Sequence, residues 1–176
     1  YNQKKLGESG IETLVTSCAE CFRTFALDYE LDDMKVMHTT EFLVEKGFDM
    51  GLKTNDEVTV TYHDPCRLGR QMNIYDEPRD LVGSVEGVNL VEMEHTGEDA
   101  LCCGVSSMMS CNENSRALRV QRFDEVRETG ADIMLTSCPK CVAHFECLKF
   151  EGDPRHDFEI LDVVSFLARQ IEESRN

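Results

Sequence analysis

Residues 11–25, IETLVTSCAECFRTF, and residues 131–145, ADIMLTSCPKCVAHF, are two versions of one pattern, with Thr-Ser-Cys-x-x-Cys in register from Thr16 and from Thr136. Each copy runs in the same order: a short apolar stretch, the cysteine pair, then apolar residues at helical spacing. Any fold the chain adopts must accommodate this unit twice. A strand that passes through a tight turn into a helix is the first half of a βαβ unit, so the repeat already points to α/β architecture. The likeness continues more weakly into VMHTTEFLVEK (36–46) and EILDVVSFLAR (159–169), both amphipathic and both with Phe-Leu at matching places.

The rest of the chain agrees with that class. Strand-like runs at 11–16, 58–63, 88–93 and 132–136 alternate with helical patterns at 19–30, 39–50, 65–74, 76–84, 113–129, 139–149 and 161–174. This order predicts a mostly parallel sheet flanked by helices. Asp64 and Pro65 read as an N-cap and first-turn proline after the second strand, and Asn112 as the cap of the longest helix. In that helix Leu118, Phe123 and Val126 are expected to face inward, with Gly130 closing its end. The two copies differ in what precedes them: Cys66 and Cys102-Cys103 stand before Cys138, whereas no cysteine stands before Cys18. The expected division is therefore a remnant of a first module over 1–52 and a complete second module over 53–176, the chain opening late in the first.

Nine cysteines stand at 18, 21, 66, 102, 103, 111, 138, 141 and 147. Adjacent thiols such as Cys102 and Cys103 rarely bridge each other, and the N-terminus has no secretory h-region, so metal ligation or thiol redox chemistry fits better than a disulfide framework. A formal charge of −16, from 18 basic and 34 acidic residues, excludes nucleic acid as a first guess, because the phosphate backbone demands a basic face. No apolar run approaches the roughly 20 residues of a membrane span, which argues against direct membrane insertion.

In an open parallel sheet, sites gather at the carboxyl ends of the strands. Cys66, Cys102, Cys103, Cys138 and Cys141 each follow a strand or begin a helix, so five thiols should converge. Crowded thiolates need a cation, and soft sulfur selects zinc, copper(I) or an iron–sulfur cluster. Five ligands with two adjacent suit a polynuclear cluster better than a closed zinc tetrahedron, although zinc remains the alternative.

The spaced set Cys66, Cys102-Cys103-Gly104 and Cys138-Pro139-Lys140-Cys141, with flanks His63-Asp64-Pro65 and Thr136-Ser137, resembles the cysteine-rich CCG domain over about residues 58–175. That family occurs, usually in two copies, in the B-type and D-type subunits of heterodisulfide reductases. It also occurs in iron–sulfur subunits of anaerobic glycerol-3-phosphate, glycolate and lactate dehydrogenase systems. The resemblance implies a non-cubane [4Fe–4S] cluster held by Cys66, Cys102, Cys103, Cys138 and Cys141, and disulfide or thiol redox chemistry. Cys18 and Cys21 match only the last two ligands of a first-module set, a partial metal site. The implied partners are other subunits of a redox complex carrying iron–sulfur, flavin or haem groups, together with a disulfide or thiol substrate. The implied location is cytoplasmic, with any membrane association made through those subunits. The alternatives are an electron-transfer subunit of an anaerobic dehydrogenase and a zinc-binding interaction module.

Among single residues, His63 is a candidate proton donor to a thiolate, or hydrogen-bond donor to a cluster sulfur. Arg67 is a candidate for balancing an electron-rich cluster or binding a substrate anion. Cys111 and Cys147 read as buried spectators, Met108-Met109 as packing filler and Lys140 as solvent-facing.

Overall fold

The computed structural model describes the chain except residues 32, 49, 50, 106–111, 153, 156, 175 and 176. The expectations for Cys111 and the Met108-Met109 pair lie outside the described residues. In chain order the elements are α1 (Asn2–Gly7), β1 (Thr13–Thr16), α2 (Ala19–Leu27), β2 (Lys35–His38), α3 (Thr39–Glu45), β3 (Lys53–His63), α4 (Gly69–Met72), α5 (Asp76–Gly83), β4 (Glu86–Val91), a 3-10 turn at Gly97–Asp99, α6 (Glu113–Thr129), β5 (Ile133–Thr136), α7 (Pro139–Phe150), β6 (Glu159–Asp162) and α8 (Val163–Glu173).

All described strand pairs are parallel. Four strands form one sheet in the order β4-β3-β5-β6, and β1 pairs with β2 in a second. The chain moves outward from β3 to β4, then crosses back to β5 on the other side of β3, so the winding reverses between β3 and β5. The alternation of side chains along each strand divides the core. Val60 and Tyr62 of β3 and Ile133 and Leu135 of β5 pack with Leu81, Val163 and Phe166 on one face. Met134 packs on the other face with Phe123, Val126, Phe145 and Leu148. Every residue of β5 is buried, as expected of a central parallel strand covered on both faces.

The repeat is a repeat of structure as well. Thr13 to Thr16 pair with Lys35 to His38, and Ile133 to Thr136 pair with Glu159 to Asp162, in the same register. His38 and Asp162 end the corresponding strands and each caps the next helix, His38 accepting from the Thr40 N–H and Asp162 from the Val164 N–H. The strands β2 and β6 were hidden in stretches that read as amphipathic helix, because four residues are too few to establish a period of two against a helical pattern that follows at once. Helix α2 lies before residue 52 but packs against the later part of the chain. Ala19 and Phe22 are buried among Cys138, Cys141 and Phe145.

Three local expectations are corrected. The predicted helix over 65–74 is only α4, preceded by a turn in which the Pro65 carbonyl accepts from the Leu68 and Gly69 N–H groups. Asp64 does not cap it, because its carboxylate is taken by Arg79 and the Gly97 N–H. In α6, Asn112 does cap, accepting from the Ser115 N–H, and Gly130 closes the helix with φ +69°. Leu118, however, is only half-buried, and the inward stripe is Ser115, Arg119, Arg122, Phe123 and Val126.

Candidate metal centre

His63 at the end of β3 pairs with Thr136 at the end of β5. The Cys66 turn and the Cys138 turn therefore leave neighbouring strands where the winding reverses, the position at which open α/β sheets form their crevices. Between them come Cys102 and Cys103, in the connection from β4 to α6. Cys66, Cys102, Cys103, Cys138 and Cys141 all line one cavity of about 490 Å³, with Arg67, Lys140 and His144 among its other walls.

Local structure aims each sulfur. Cys138 is the N-cap of α7 and Pro139 its first residue, so Cys141 lies in the first turn facing back toward the strand ends. Gly104 has φ +85°, and a Cβ there would stand 2.8 Å from the Ser115 carbonyl oxygen, which explains the glycine after the double cysteine. The Gly104 N–H donates to Cys102 Sγ at 3.3 Å. His144 Nδ1 lies 2.7 Å from the Cys103 carbonyl and its Nε2 lies 3.3 Å from Ser115 Oγ, tying α7 to the sulfur loop.

The thiols are crowded. Cys141 Sγ donates to Cys103 Sγ at 3.3 Å. The Cys102 thiol and burial raise Cys66 above its ordinary value. The Cys102 hydrogen bond pushes Cys103 up to about 12, although its contact with Cys141 acts the other way. Hydrogen bonds to Cys103 and Cys138, together with burial, raise Cys141. Cys138 is lowered, to about 7, first by the Cys141 thiol and then by backbone N–H groups at the start of α7. Such a set ionises together only if a cation replaces the protons. Six cysteines line the chamber, these five and Cys147, and sulfurs spread around a chamber, rather than four closed on a point, fit a polynuclear metal–sulfur group better than a single zinc ion.

His63 is 1% exposed and sits with this set: one of its ring nitrogens and the sulfurs of Cys103 and Cys141 lie within 4.8 Å of one another. Burial, and then the Arg122 guanidinium, lower its imidazole to about 3, so it is neutral. Phe145 meets the ring edge-on at 4.9 Å between centroids. Arg67 lines the cavity, and its Nη1 donates to Gln71 Oε1 at 2.8 Å. Lys140 is not simply solvent-facing: it joins the cavity wall and pairs with Glu20. Cys147 also reaches the cavity and is half-buried.

Cys18 and Cys21 are not part of this chamber's wall. Cys18 caps α2 and accepts from the Cys21 N–H at 3.4 Å, while Cys21 is exposed. Among the described residues the tight cluster of metal-binding atoms is His63, Cys103 and Cys141, and the first pair gathers no third ligand of that kind.

Arg119 and Arg122, both fully buried behind the site, do not stand out in the sequence as site residues. Their signal is nonetheless present: they share the 3.6-residue phase of Phe123 and Val126, an unusual place for a charge.

A parallel sheet whose crevice is lined by cysteines from three separate connections defines a cysteine-rich α/β domain. In particular, residues 60–146 match the cysteine-rich domain family CCG, so the chain contains a domain of that family. It is similar to the D-type subunit of the dihydromethanophenazine:CoB–CoM heterodisulfide reductase of Methanosarcina acetivorans, at 30% identity over 97% of this chain and 44% of that protein. It is also similar to an iron–sulfur protein of Methanococcus maripaludis, at 32% identity over 97% of this chain and 35% of the relative. A subunit of the fumarate reductase (CoM/CoB) of Methanothermobacter marburgensis matches at 31% over 90% of this chain and 32% of its own length. The chain thus spans less than half the length of these relatives. No helix among the described residues is long and apolar enough to cross a membrane.

Proposed function

We propose that this chain is the cysteine-rich part of an iron–sulfur oxidoreductase subunit of heterodisulfide-reductase type, with Cys66, Cys102, Cys103, Cys138 and Cys141 holding a non-cubane [4Fe–4S] cluster. The observation that carries the reading is the convergence of these five thiols on one chamber from three connections spread along the chain. The naming of its relatives as iron–sulfur proteins and reductase subunits supports it. When bound, the cluster would supply the electrons for R–S–S–R′ + 2e⁻ + 2H⁺ → RSH + R′SH, drawn from another subunit of the complex. The chain's own part is to gather the sulfurs, to hold the buried His63, with Phe145 against its ring, beside Cys103 and Cys141, and to offer Arg67 at the chamber wall to an anionic group of the substrate. Cys18 and Cys21, which join no cluster of three metal-binding groups among the described residues, hold only part of a site in this arrangement.

Anaerobic reconstitution with iron and sulfide should load about four irons per chain. Serine at any of the five chamber cysteines should reduce that content, whereas Cys21→Ser should leave it unchanged. A thiol or disulfide ligand should perturb the EPR spectrum of the loaded protein. A chain that takes one tight zinc and no iron overturns the reading, and a cluster blind to thiols assigns electron transfer in place of disulfide chemistry.

A further inference from the structure

Arg122 lies within α6 with its side chain fully buried, and holding a cluster does not in itself call for an arginine there. A buried guanidinium is tolerated only when it is neutralised and hydrogen-bonded. Glu125 neutralises it, accepting from Arg122 Nη1 at 2.5 Å, and the His95 carbonyl accepts from the same nitrogen at 2.7 Å. Arg122 Nε is directed elsewhere and donates to His63 Nδ1 at 3.1 Å.

Arginine has donors and no acceptor, so that bond exists only while His63 Nδ1 carries a lone pair. The single proton of the neutral ring is then on Nε2. One ring nitrogen lies within 4.8 Å of the sulfurs of Cys103 and Cys141, and with Nδ1 engaged by the guanidinium we infer that it is Nε2. We propose that Arg122 is a positioning residue: by occupying Nδ1 it makes His63 present an N–H donor to the Cys103 and Cys141 sulfurs. The geometry stands by itself, and the redox consequence rests on the iron–sulfur reading above. A donor aimed at thiolate sulfur stabilises the more electron-rich state and raises the reduction potential of a centre held there. The same arrangement excludes His63 as a ligand through either nitrogen. It is not a proton relay to the partly exposed His95, because a guanidinium keeps its protons throughout the working range.

The test uses the full chain in two states. In metal-free protein, long-range proton–nitrogen correlation spectra should show His63 Nδ1 unprotonated and Nε2 protonated. The double variant Arg122→Met with Glu125→Gln, which removes the donor without stranding a buried carboxylate, should admit the Nδ1–H form. In cluster-loaded protein, this double variant and His63→Phe should both shift the midpoint potential to more negative values, and combining them should add nothing to His63→Phe alone. A proton on Nδ1 in the unmodified metal-free chain overturns the proposal. So does a potential that responds to His63→Phe and ignores the Arg122 and Glu125 changes. If the chain takes up no iron, the iron–sulfur reading fails, and the tautomer measurement still decides the role of Arg122.

Discussion

Asp64 is 3% exposed and stands two residues before Cys66. Arg79 approaches its two oxygens at 2.8 and 2.9 Å, and the Gly97 N–H donates to it at 2.8 Å. Burial works against its charge, but the Arg79 guanidinium outweighs burial and holds Asp64 below the ordinary carboxylate range. The carboxylate thereby fastens the Cys66 turn to α5 and to the start of the loop that carries Cys102 and Cys103. Asp64→Ala should destabilise the protein by about 1–3 kcal/mol, since it removes the charge-assisted bonds from Arg79, which keeps Glu92, and takes the acceptor from the Gly97 N–H; urea unfolding measures this. His38 gives a prediction in pH. Burial lowers it to about 4, with the backbone of Ser17 and Ser137 nearby opposing the shift, and Thr40 Oγ1 lies 2.8 Å from its Nδ1. A folded value below the unfolded one means that the unfolded chain takes the proton first. Stability is therefore full above about pH 6.5, falls by up to about 1.4 kcal/mol per unit toward pH 4, and receives no further loss from this group below that. The urea midpoint of His38→Gln should lose that part of the slope, and parallel profiles for the two proteins would refute the assignment.

At the scale of elements, the sulfur loop and α6 meet at Gly104. Its positive φ and the 2.8 Å approach of a hypothetical Cβ to the Ser115 carbonyl leave no room for a side chain. Gly104→Ala should lower stability by about 1–3 kcal/mol, and it should also loosen iron retention, because the strain falls between Cys103 and the helix cap. Thermal melting and iron analysis of the same sample test both halves. Helix α6 holds this loop by polar groups: Ser115 reaches Gly104 and His144, and Arg119 donates to the Ser115 and His144 carbonyls. These contacts account for Arg119 in its inward stripe, and the bonds to His63, the His95 carbonyl and Glu125 account for Arg122.

At the scale of the molecule, the two copies of the repeat meet at equivalent positions of their cysteine turns. Glu20 and Lys140 occupy the same place in the pattern and form an ion pair across the seam. Both are partly exposed, so the pair contributes at most about 1 kcal/mol and serves more to match the copies than to hold them. The cohesion is apolar: Phe22 is 3% exposed and belongs to the same core as Phe145 and Leu148, while Leu43, Val44 and Phe48 pack on the opposite core. Phe22→Ala should therefore destabilise the protein by about 3–5 kcal/mol within a single unfolding transition. Two calorimetric transitions, with only the first displaced, would instead show that residues 1–52 unfold as a separate unit.

The repeat, the alternation of strands with helices and the spaced cysteines were legible in sequence because each is a local pattern, set by side-chain periodicity or by the chemistry of the residue itself. The α/β class, the parallel pairing and the family followed from them. The short strands β2 and β6 were not legible, since four residues carry too little period to oppose the helix that follows. Nor were the partners of Asp64, Arg122 and Lys140, which come from segments 15 or more residues away or, for Arg122, jointly from its own helix and from β3. A charge in a sequence reads as surface by default. Only the folded chain, which brings acceptors to Nε and Nη1 of Arg122 and lets the low-dielectric interior retain the pair with Glu125, makes Arg122 an interior residue pointed at a histidine beside the sulfurs.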